Sequence, residues 1–417
     1  MKKWLASVVQ HTEELGIRSL TANCRSTDIP YDLTVGDWDT RFFSFPEPLS
    51  KAVAHYYAVG ATDYADIAGV GALRAIVASL WQTYTTLSYQ ASNVIIASGT
   101  RPLLYLACHT ILEQKDWVAY STPSWNTGHY LQNLTSHTIN IDTDAANGFL
   151  PQLSQLASLR KQLNLLWLNL PLNPSGYCYR LPEWTQLLQW IEQVNLEREL
   201  ADLKPLFVVV DAVYHRLNSG TAPLWQQLAH CPKLKNYCLF IDGIAKCYVA
   251  TGIRVGWAVG PQFWIQAMVR YNGYLGSWAA KPEQLALADY LSYPSATTYI
   301  EELRSQLEQR AQCWQAVIEE LTNMGYPVTM LPYYGGLYLS VHLPLANYHD
   351  SSNTTIETAD QLFCYLVKIA GLAMVSFKYL DAPKHQWWFR VALGRGSIKQ
   401  YQSAATALKH AIIRLHQ

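Results

Sequence analysis

The chain carries no surplus of either charge. Lysine plus arginine and aspartate plus glutamate number 31 each among 417 residues, so the formal charge is zero. A nucleic-acid-binding face draws its affinity from unbalanced lysine and arginine, and no such excess exists here. The same balance is wrong for an acidic disordered tail. Long apolar runs are missing too. Nowhere do about 18 apolar residues follow one another, so no membrane span is expected. The N-terminus, MKKWLASVVQHTEELGIRSL, opens with two lysines, but its apolar stretch is short and runs into His11, Glu13 and Glu14. A signal peptide needs a longer apolar run and a small-residue cleavage site, so an amphipathic first helix is the expectation. The eight cysteines (Cys24, Cys108, Cys178, Cys231, Cys238, Cys247, Cys313 and Cys364) show no CxxC spacing, and no Cys/His cluster has zinc spacing. No metal is therefore expected. Most of these thiols read as buried and reduced, which points to the cytoplasm. Repeats, low-complexity tracts and charge blocks are absent as well.

What the chain does have is apolar mass. Half its residues are hydrophobic, enough for a sizeable core and for two domains. The 15 tryptophans and 27 tyrosines are read first as core and subunit-interface packing, so an aromatic needs a motif to be promoted above that. Short β-rich runs alternate with helical stretches through the middle of the chain. The runs are 93–98 (NVIIAS), 117–121 (WVAYS), 165–170 (LLWLNL), 206–211 (LFVVVD), 237–242 (YCLFID) and 255–259 (VGWAV). Most are continuously apolar, which is how strands covered on both faces read. A mainly parallel sheet between helix layers follows. Helices are expected at 182–199, with a proline near the start, and at 297–324, ended by Gly325. A smaller α+β segment comes next, with a hairpin at Gly335–Gly336 and a closing helix near 403–415. The expected organisation is an N-terminal arm over 1–45, a large α/β domain over 46–295 and a small domain over 296–417.

In sheets of this kind, ligands bind beyond the carboxyl ends of the strands. That rule singles out particular residues. Run 206–211 delivers Asp211, with Tyr214 three residues on. Run 165–170 leads to Asn173-Pro174-Ser175-Gly176. Run 93–98 leads to Gly99-Thr100-Arg101 at a helix start. Run 237–242 leads through Gly243 and Ala245 to Lys246, with Arg254 eight residues later. A carboxylate, an amine, a guanidinium, a phenol and a backbone anion site thus meet on one edge. These groups match the needs of pyridoxal 5'-phosphate. Its aldehyde requires an amine, and a desolvated lysine supplies it. Its ring nitrogen keeps a proton when a buried carboxylate lies against it. Its phosphate wants a helix N-terminus and an arginine fork.

Six stretches resemble the class I/II aminotransferases, which are fold-type I pyridoxal-phosphate enzymes. LNLPLNPSGY is similar to the family's N-P-[ST]-G motif and DAVY to its D-x-x-Y. IDGIAKCYVATGIRVGW is similar to its lysine segment, and DYADIAGVGALRAIVASLW to its Y-x-x-x-x-G-x-x-x-L-R stretch. STPSWNTGHY is similar to the segment with the ring-stacking aromatic, and FRVALG to the strand with the carboxylate-binding arginine. Order and spacing agree over about residues 30 to 415.

The resemblance implies a role for each residue. Lys246 is the Schiff-base lysine and proton shuttle, Asp211 pairs with the ring nitrogen, and Tyr214 and Asn173 hydrogen-bond the phenolic oxygen. Trp125 stacks on the ring. Gly99, Thr100 and Arg254 hold the phosphate, with Tyr64 reaching in from a neighbouring subunit. Arg390 forks the substrate α-carboxylate, with Gly36 against the same group. The pocket walls include Trp125, His129 and Tyr334, and segment 276–281 comes from the partner. His129 itself reads first as a satisfied buried histidine, and Gly335–Gly336 as a turn before an active-site edge. A homodimer with shared sites and small-molecule amino acid and 2-oxo acid substrates are implied.

One departure stands out. The family usually has hydroxyls three and one residues before the lysine, and here those positions are Gly243 and Ala245. Two hydrogen bonds to a dianion are missing, each worth about 1.5–3 kcal/mol. Either Arg101 beside Thr100 compensates, or the cofactor is held more weakly, or the branch is specialised. The leading function is an aminotransferase. The alternative is a pyridoxal-phosphate elimination or cyclisation enzyme, resembling the capreomycidine or enduracididine synthases, or an oxidase, acting on a specialised amino acid such as an arginine derivative. An aminotransferase-like regulator domain is disfavoured, because only about 30 residues precede the match. No second arginine is placed for a dicarboxylate, so the reading leans away from aspartate.

Overall fold

A computed structural model describes residues 29–417 except 126, 132, 133, 136, 219 and 220. The amphipathic helix expected over the first 20 residues lies outside this range, as does Cys24. Seven strands form the main sheet: β1 (Val94–Ala97), β2 (Trp117–Thr122), β3 (His137–Asp142), β4 (Leu163–Asn169), β5 (Phe207–Asp211), β6 (Cys238–Gly243) and β7 (Gly256–Val259). Their order is β1-β7-β6-β5-β4-β2-β3. Strand β7 runs antiparallel to both β1 and β6, and the other pairs are parallel. The mainly parallel sheet between helix layers is thus present.

The apolar runs are continuous because successive residues feed two different cores. Val208 and Val210 of β5 join Trp81 and Trp184 on one face. Phe207 and Val209 join Leu103 and Trp264 on the other. Each fully buried side chain of this size contributes about 1.5–3 kcal/mol, so neither face tolerates a polar residue. Trp81 comes from α1 (Gly71–Thr85) and Leu103 from α2 (Thr100–Ile111), while Trp184 comes from α3 (Leu181–Leu200). Strand β3 was not among the expected runs. Among the described residues it pairs only with β2, and exposed positions alternate with half-buried or buried ones, so HTINID carries the polar pattern of an edge rather than the apolar run of a centre.

The C-terminal part packs α4 (Ser295–Asn323) and α5 (Ile398–Ile413) together. With them goes a four-stranded antiparallel sheet of β8 (Thr329–Met330), β9 (Tyr338–His342), β10 (Val375–Ser376) and β11 (Trp388–Ala392), in the order β10-β11-β9-β8. Tyr31–Asp32 runs parallel to Leu372–Ala373, which ties the start of the described chain to this part. Gly335 and Gly336, both at positive φ, connect β8 to β9. The same pair docks on the segment after Tyr214, with the Gly336 amide donating to the Leu217 carbonyl at 2.9 Å. It is therefore both a turn and a contact to the segment that follows β5. Cys108, Cys178, Cys231, Cys238 and Cys247 are buried free thiols and Cys313 is a half-buried one. Cys364 departs from the expected reduced set and is disulfide-bonded. No helix of the described residues is long and apolar enough to cross a membrane.

Candidate active site

The carboxyl ends of β4, β5 and β6 and the start of α2 bring the singled-out residues together. Asp211 ends β5. Burial pushes its carboxyl up to about 7, against the Val213 amide and the Lys246 amine, which both favour the charged form. A cation in contact would relieve that cost. Lys246 follows β6 on a single helical turn, Ile244–Cys247. Its Nζ donates to the Gly36 carbonyl at 2.5 Å. Burial lowers the affinity of this amine for its proton, which favours the nucleophilic form.

The anion cradle rests on three glycines. Gly99 at φ +91 precedes α2, and a Cβ there would lie 2.5 Å from Arg254 Nη2. The guanidinium thus reaches the helix start only because residue 99 has no side chain. A Cβ on Gly256 would meet the Gly99 carbonyl carbon at 2.7 Å and the Thr100 nitrogen at 2.8 Å. A Cβ on Gly243 would meet the Val255 oxygen at 2.8 Å and the Gly256 Cα at 2.9 Å. The residue without a hydroxyl at 243 is one member of this tight backbone packing. The first-turn N–H groups of α2 and the Arg254 guanidinium form a site suited to a phosphate.

Arg390 lies in the middle of β11 and is 4% exposed. Its Nη1 donates to Asn173 Oδ1 at 2.9 Å and its Nη2 to the Thr34 carbonyl at 2.7 Å. Its Nε is buried with no partner among the described residues. A fork held on two sides with an uncommitted donor suits a planar carboxylate. Tyr214 is buried, and its hydroxyl lies 3.0 Å from that of Tyr338. Burial first, and Tyr338 second, raise the Tyr214 phenol far above its usual range.

The family model "Aminotransferase class I and II" matches residues 32–408. The chain belongs to this family. A probable aspartate/prephenate aminotransferase of Aquifex aeolicus is 23% identical over 332 residues, covering 78% of this chain and 80% of that protein. An aspartate aminotransferase of Geobacillus stearothermophilus is 24% identical over 387 residues, or 90% and 88% of the two chains. The Escherichia coli methionine aminotransferase is 28% identical over 253 residues, or 60% and 62%. The crystal structure of the aspartate aminotransferase from Rhizobium meliloti superposes with a TM-score of 0.84 at 23% identity over 99% of both chains, which shows the fold. Elimination, cyclisation and oxidation are not favoured by these relatives.

Within this aminotransferase the remaining expected residues fall into three groups. Arg101 is exposed and spans the half-buried Trp125 ring at 4.6 Å. Tyr64 is 86% exposed and lies edge-on to Trp278 at 5.3 Å, while Lys281 Nζ donates to Asp63 at 2.7 Å. The two segments expected to serve a partner subunit therefore form one surface patch. His129 is exposed, not the buried histidine expected, because its short helix presents it at the surface beside Asp381. Sequence reasoning missed Tyr338, whose ring lies 4.4 Å from the Arg390 guanidinium carbon. It also missed Asn169, which accepts from the Asn173 amide at 2.6 Å and donates to the Asp211 carbonyl at 2.9 Å. Alternation along 337–342 (LYLSVH) was the available signal for Tyr338, but its partner strand was not. A buried network of His215, Arg216 and Asp242 lies next in sequence to Tyr214 and Gly243.

Proposed function

We propose that this chain is a pyridoxal 5'-phosphate-dependent aminotransferase that moves an amino group between an amino acid and a 2-oxo acid. The observation that carries the reading is that the Lys246 amine and the raised Asp211 carboxyl share the carboxyl edge of the main sheet, and the Arg390 fork reaches Asn173 at that edge from β11. When bound, the cofactor supplies an aldehyde to capture the amine and a ring to accept the electrons released at the substrate Cα. The glycine-lined start of α2 and Arg254 suit its phosphate, and the burial cost of Asp211 is met by a protonated ring nitrogen.

Lys246 is the amine that would hold the aldehyde carbon, and its buried Nζ is the base that would take and return the substrate Cα proton. Tyr214 and Asn173 would donate to the phenolic oxygen, and Trp125 would cover the ring. Gly99 and Thr100, with Arg254, hold the phosphate, and Arg101 adds charge beside them. Arg390 orients the α-carboxylate, with Gly36 next to it. The reading includes division of the chain at residues 45 and 295, a cytoplasmic setting and a homodimer. In that dimer the patch of Tyr64, Trp278 and the exposed Tyr274 faces the partner's site.

The test is an absorbance experiment on protein loaded with the cofactor. Adding an amino acid alone should bleach the visible band and raise a near-ultraviolet band, and a 2-oxo acid should reverse the change. A panel of acidic, apolar, aromatic and guanidino amino acids reads the side-chain preference in the same run. A visible band that no amino acid bleaches refutes amino transfer.

A further inference from the structure

We propose that Tyr338 is a positioning residue of this site, its ring fixing the face of the Arg390 guanidinium and its hydroxyl orienting that of Tyr214. The inference rests on the function proposed above and adds a residue to it. The placement follows from strand register. Tyr338 of β9 pairs with Ala392 of β11, and Ser340 pairs with Arg390. Positions 338, 340, 390 and 392 therefore share one face of the sheet, and Tyr338 is the diagonal neighbour of Arg390, within reach of a long side chain.

The contacts bear this out. The Arg390 guanidinium carbon sits 4.4 Å from the Tyr338 ring centroid. Asn173 and Thr34 hold the edge of the guanidinium, and the ring holds its face. A cation over an aromatic face is attracted by the ring quadrupole, and more strongly in a desolvated site, which biases one orientation of the fork. At its far end the same side chain places its hydroxyl 3.0 Å from the Tyr214 hydroxyl. Either oxygen can be the donor of that bond. If Tyr214 spends its single proton on the phenolic oxygen, Tyr338 must be the donor to Tyr214. Such a chain of two hydroxyls strengthens the outer donation.

A third contact fixes where the hydroxyl lies. A Cβ on Gly36 would fall 1.9 Å from Tyr338 Oη, and Gly36 is the residue whose carbonyl receives the Lys246 amine. One side chain thus touches the carboxylate fork, the phenol and the backbone beneath the lysine. A phenylalanine would serve the guanidinium equally well, so the hydroxyl points to the second task.

Two experiments test this. In the first, the visible band of the cofactor-loaded protein is titrated with pH and KM is measured for one accepted amino acid. Tyr338→Phe should move the band midpoint up by about half to one pH unit, the equivalent of one net neutral hydrogen bond, with little change in KM. The direction follows because donation to the phenolic oxygen stabilises the charge left there after deprotonation. Tyr338→Leu should give the same shift and also raise KM about two- to fivefold. A wild-type midpoint retained in Tyr338→Phe, or a KM unchanged in Tyr338→Leu, overturns the assignment. A wild-type protein with no visible band overturns the cofactor reading, and this inference with it.

The second experiment needs no cofactor. Gly36→Ala should lower the melting temperature of the unloaded protein by several degrees, and most of that loss should vanish in the Tyr338→Leu background. An equal loss in both backgrounds shows that Tyr338 does not occupy the space over Gly36, which overturns the geometry itself.

Discussion

Restoring the family's hydroxyls at 243 and 245 should have opposite outcomes at the two positions. Gly243 has φ 177, an extended conformation open to any residue, so space alone opposes a side chain there. A Cβ would sit 2.8 Å from the Val255 oxygen and 2.9 Å from the Gly256 Cα, both backbone atoms that no rotamer can move. Overpacking of this kind costs about 1–3 kcal/mol, while replacing glycine returns about 0.4–1 kcal/mol through the unfolded chain. Gly243→Ser should therefore lose about 1–2 kcal/mol net, seen as a fall of roughly 1–4 °C in the melting temperature of the unloaded protein. The displaced strand end should also disturb the Gly99–Arg254 cradle, so the affinity for pyridoxal phosphate should fall rather than rise. Ala245 already carries a Cβ and is half-buried, so Ala245→Ser adds only an oxygen. If that oxygen reaches the phosphate it should tighten cofactor binding about tenfold, the value of one charge-assisted hydrogen bond. The assays are differential scanning fluorimetry of the unloaded proteins and equilibrium titration with pyridoxal phosphate. A Gly243→Ser protein that melts with the wild type and binds cofactor more tightly would refute the packing argument.

Three further outcomes are expected. Arg390→Lys keeps the charge but loses the planar fork and the bonds to Asn173 and Thr34, so kcat/KM should fall about 10- to 100-fold while the visible band is retained. Asp211 is raised from 3.8 to about 7 by burial, so its contribution to stability is present below its unfolded value and is lost as pH rises to 7. Unloaded wild type should therefore lose stability relative to Asp211→Asn between about pH 4 and 7, and a pH-independent difference between the two in urea melts would contradict that. Mixing Tyr64→Ala with Lys246→Ala, each nearly inactive alone, should restore about a quarter of wild-type activity in a homodimer with shared sites. Half of random dimers are hybrids, and each hybrid has one whole site. No recovery after subunit exchange would place Tyr64 outside the partner's site.

The fold was legible where burial writes a simple pattern. Strands β5 and β6 sit between two cores, so each is continuously apolar up to its carboxyl end (FVVV and CLFI) and the run announces itself. Edge strand β3 was not legible, because half its residues face solvent and HTINID reads like a polar connection. The helices at 182–199 and 297–324 were found to within two residues by proline at the start and glycine at the end. The burial of His129 was misjudged because closeness in sequence to Trp125 says nothing about which side of a one-and-a-half-turn helix faces out.

The site was legible to the extent that its residues end strands. Asp211 and Lys246 follow strands in sequence, so the rule that ligands gather at carboxyl ends suffices to find them. Contacts between distant parts of the chain could not be read this way. Thr34 reaches Arg390 across 356 residues and Gly36 reaches Lys246 across 210, and nothing local to either partner signals the pairing. Tyr338 was hidden for the same reason, since its place over Arg390 exists only once β9 is registered against β11. Gly243 shows the difference most clearly. In sequence it registers as a hydroxyl taken away, and the inference drawn is weaker phosphate binding. In three dimensions it is one of three glycines whose bare backbones let β6, β7 and the start of α2 close on each other, which brings Arg254 against Gly99. The same substitution that removes one donor thus belongs to the packing that delivers a stronger one, and sequence alone counts the loss without the gain.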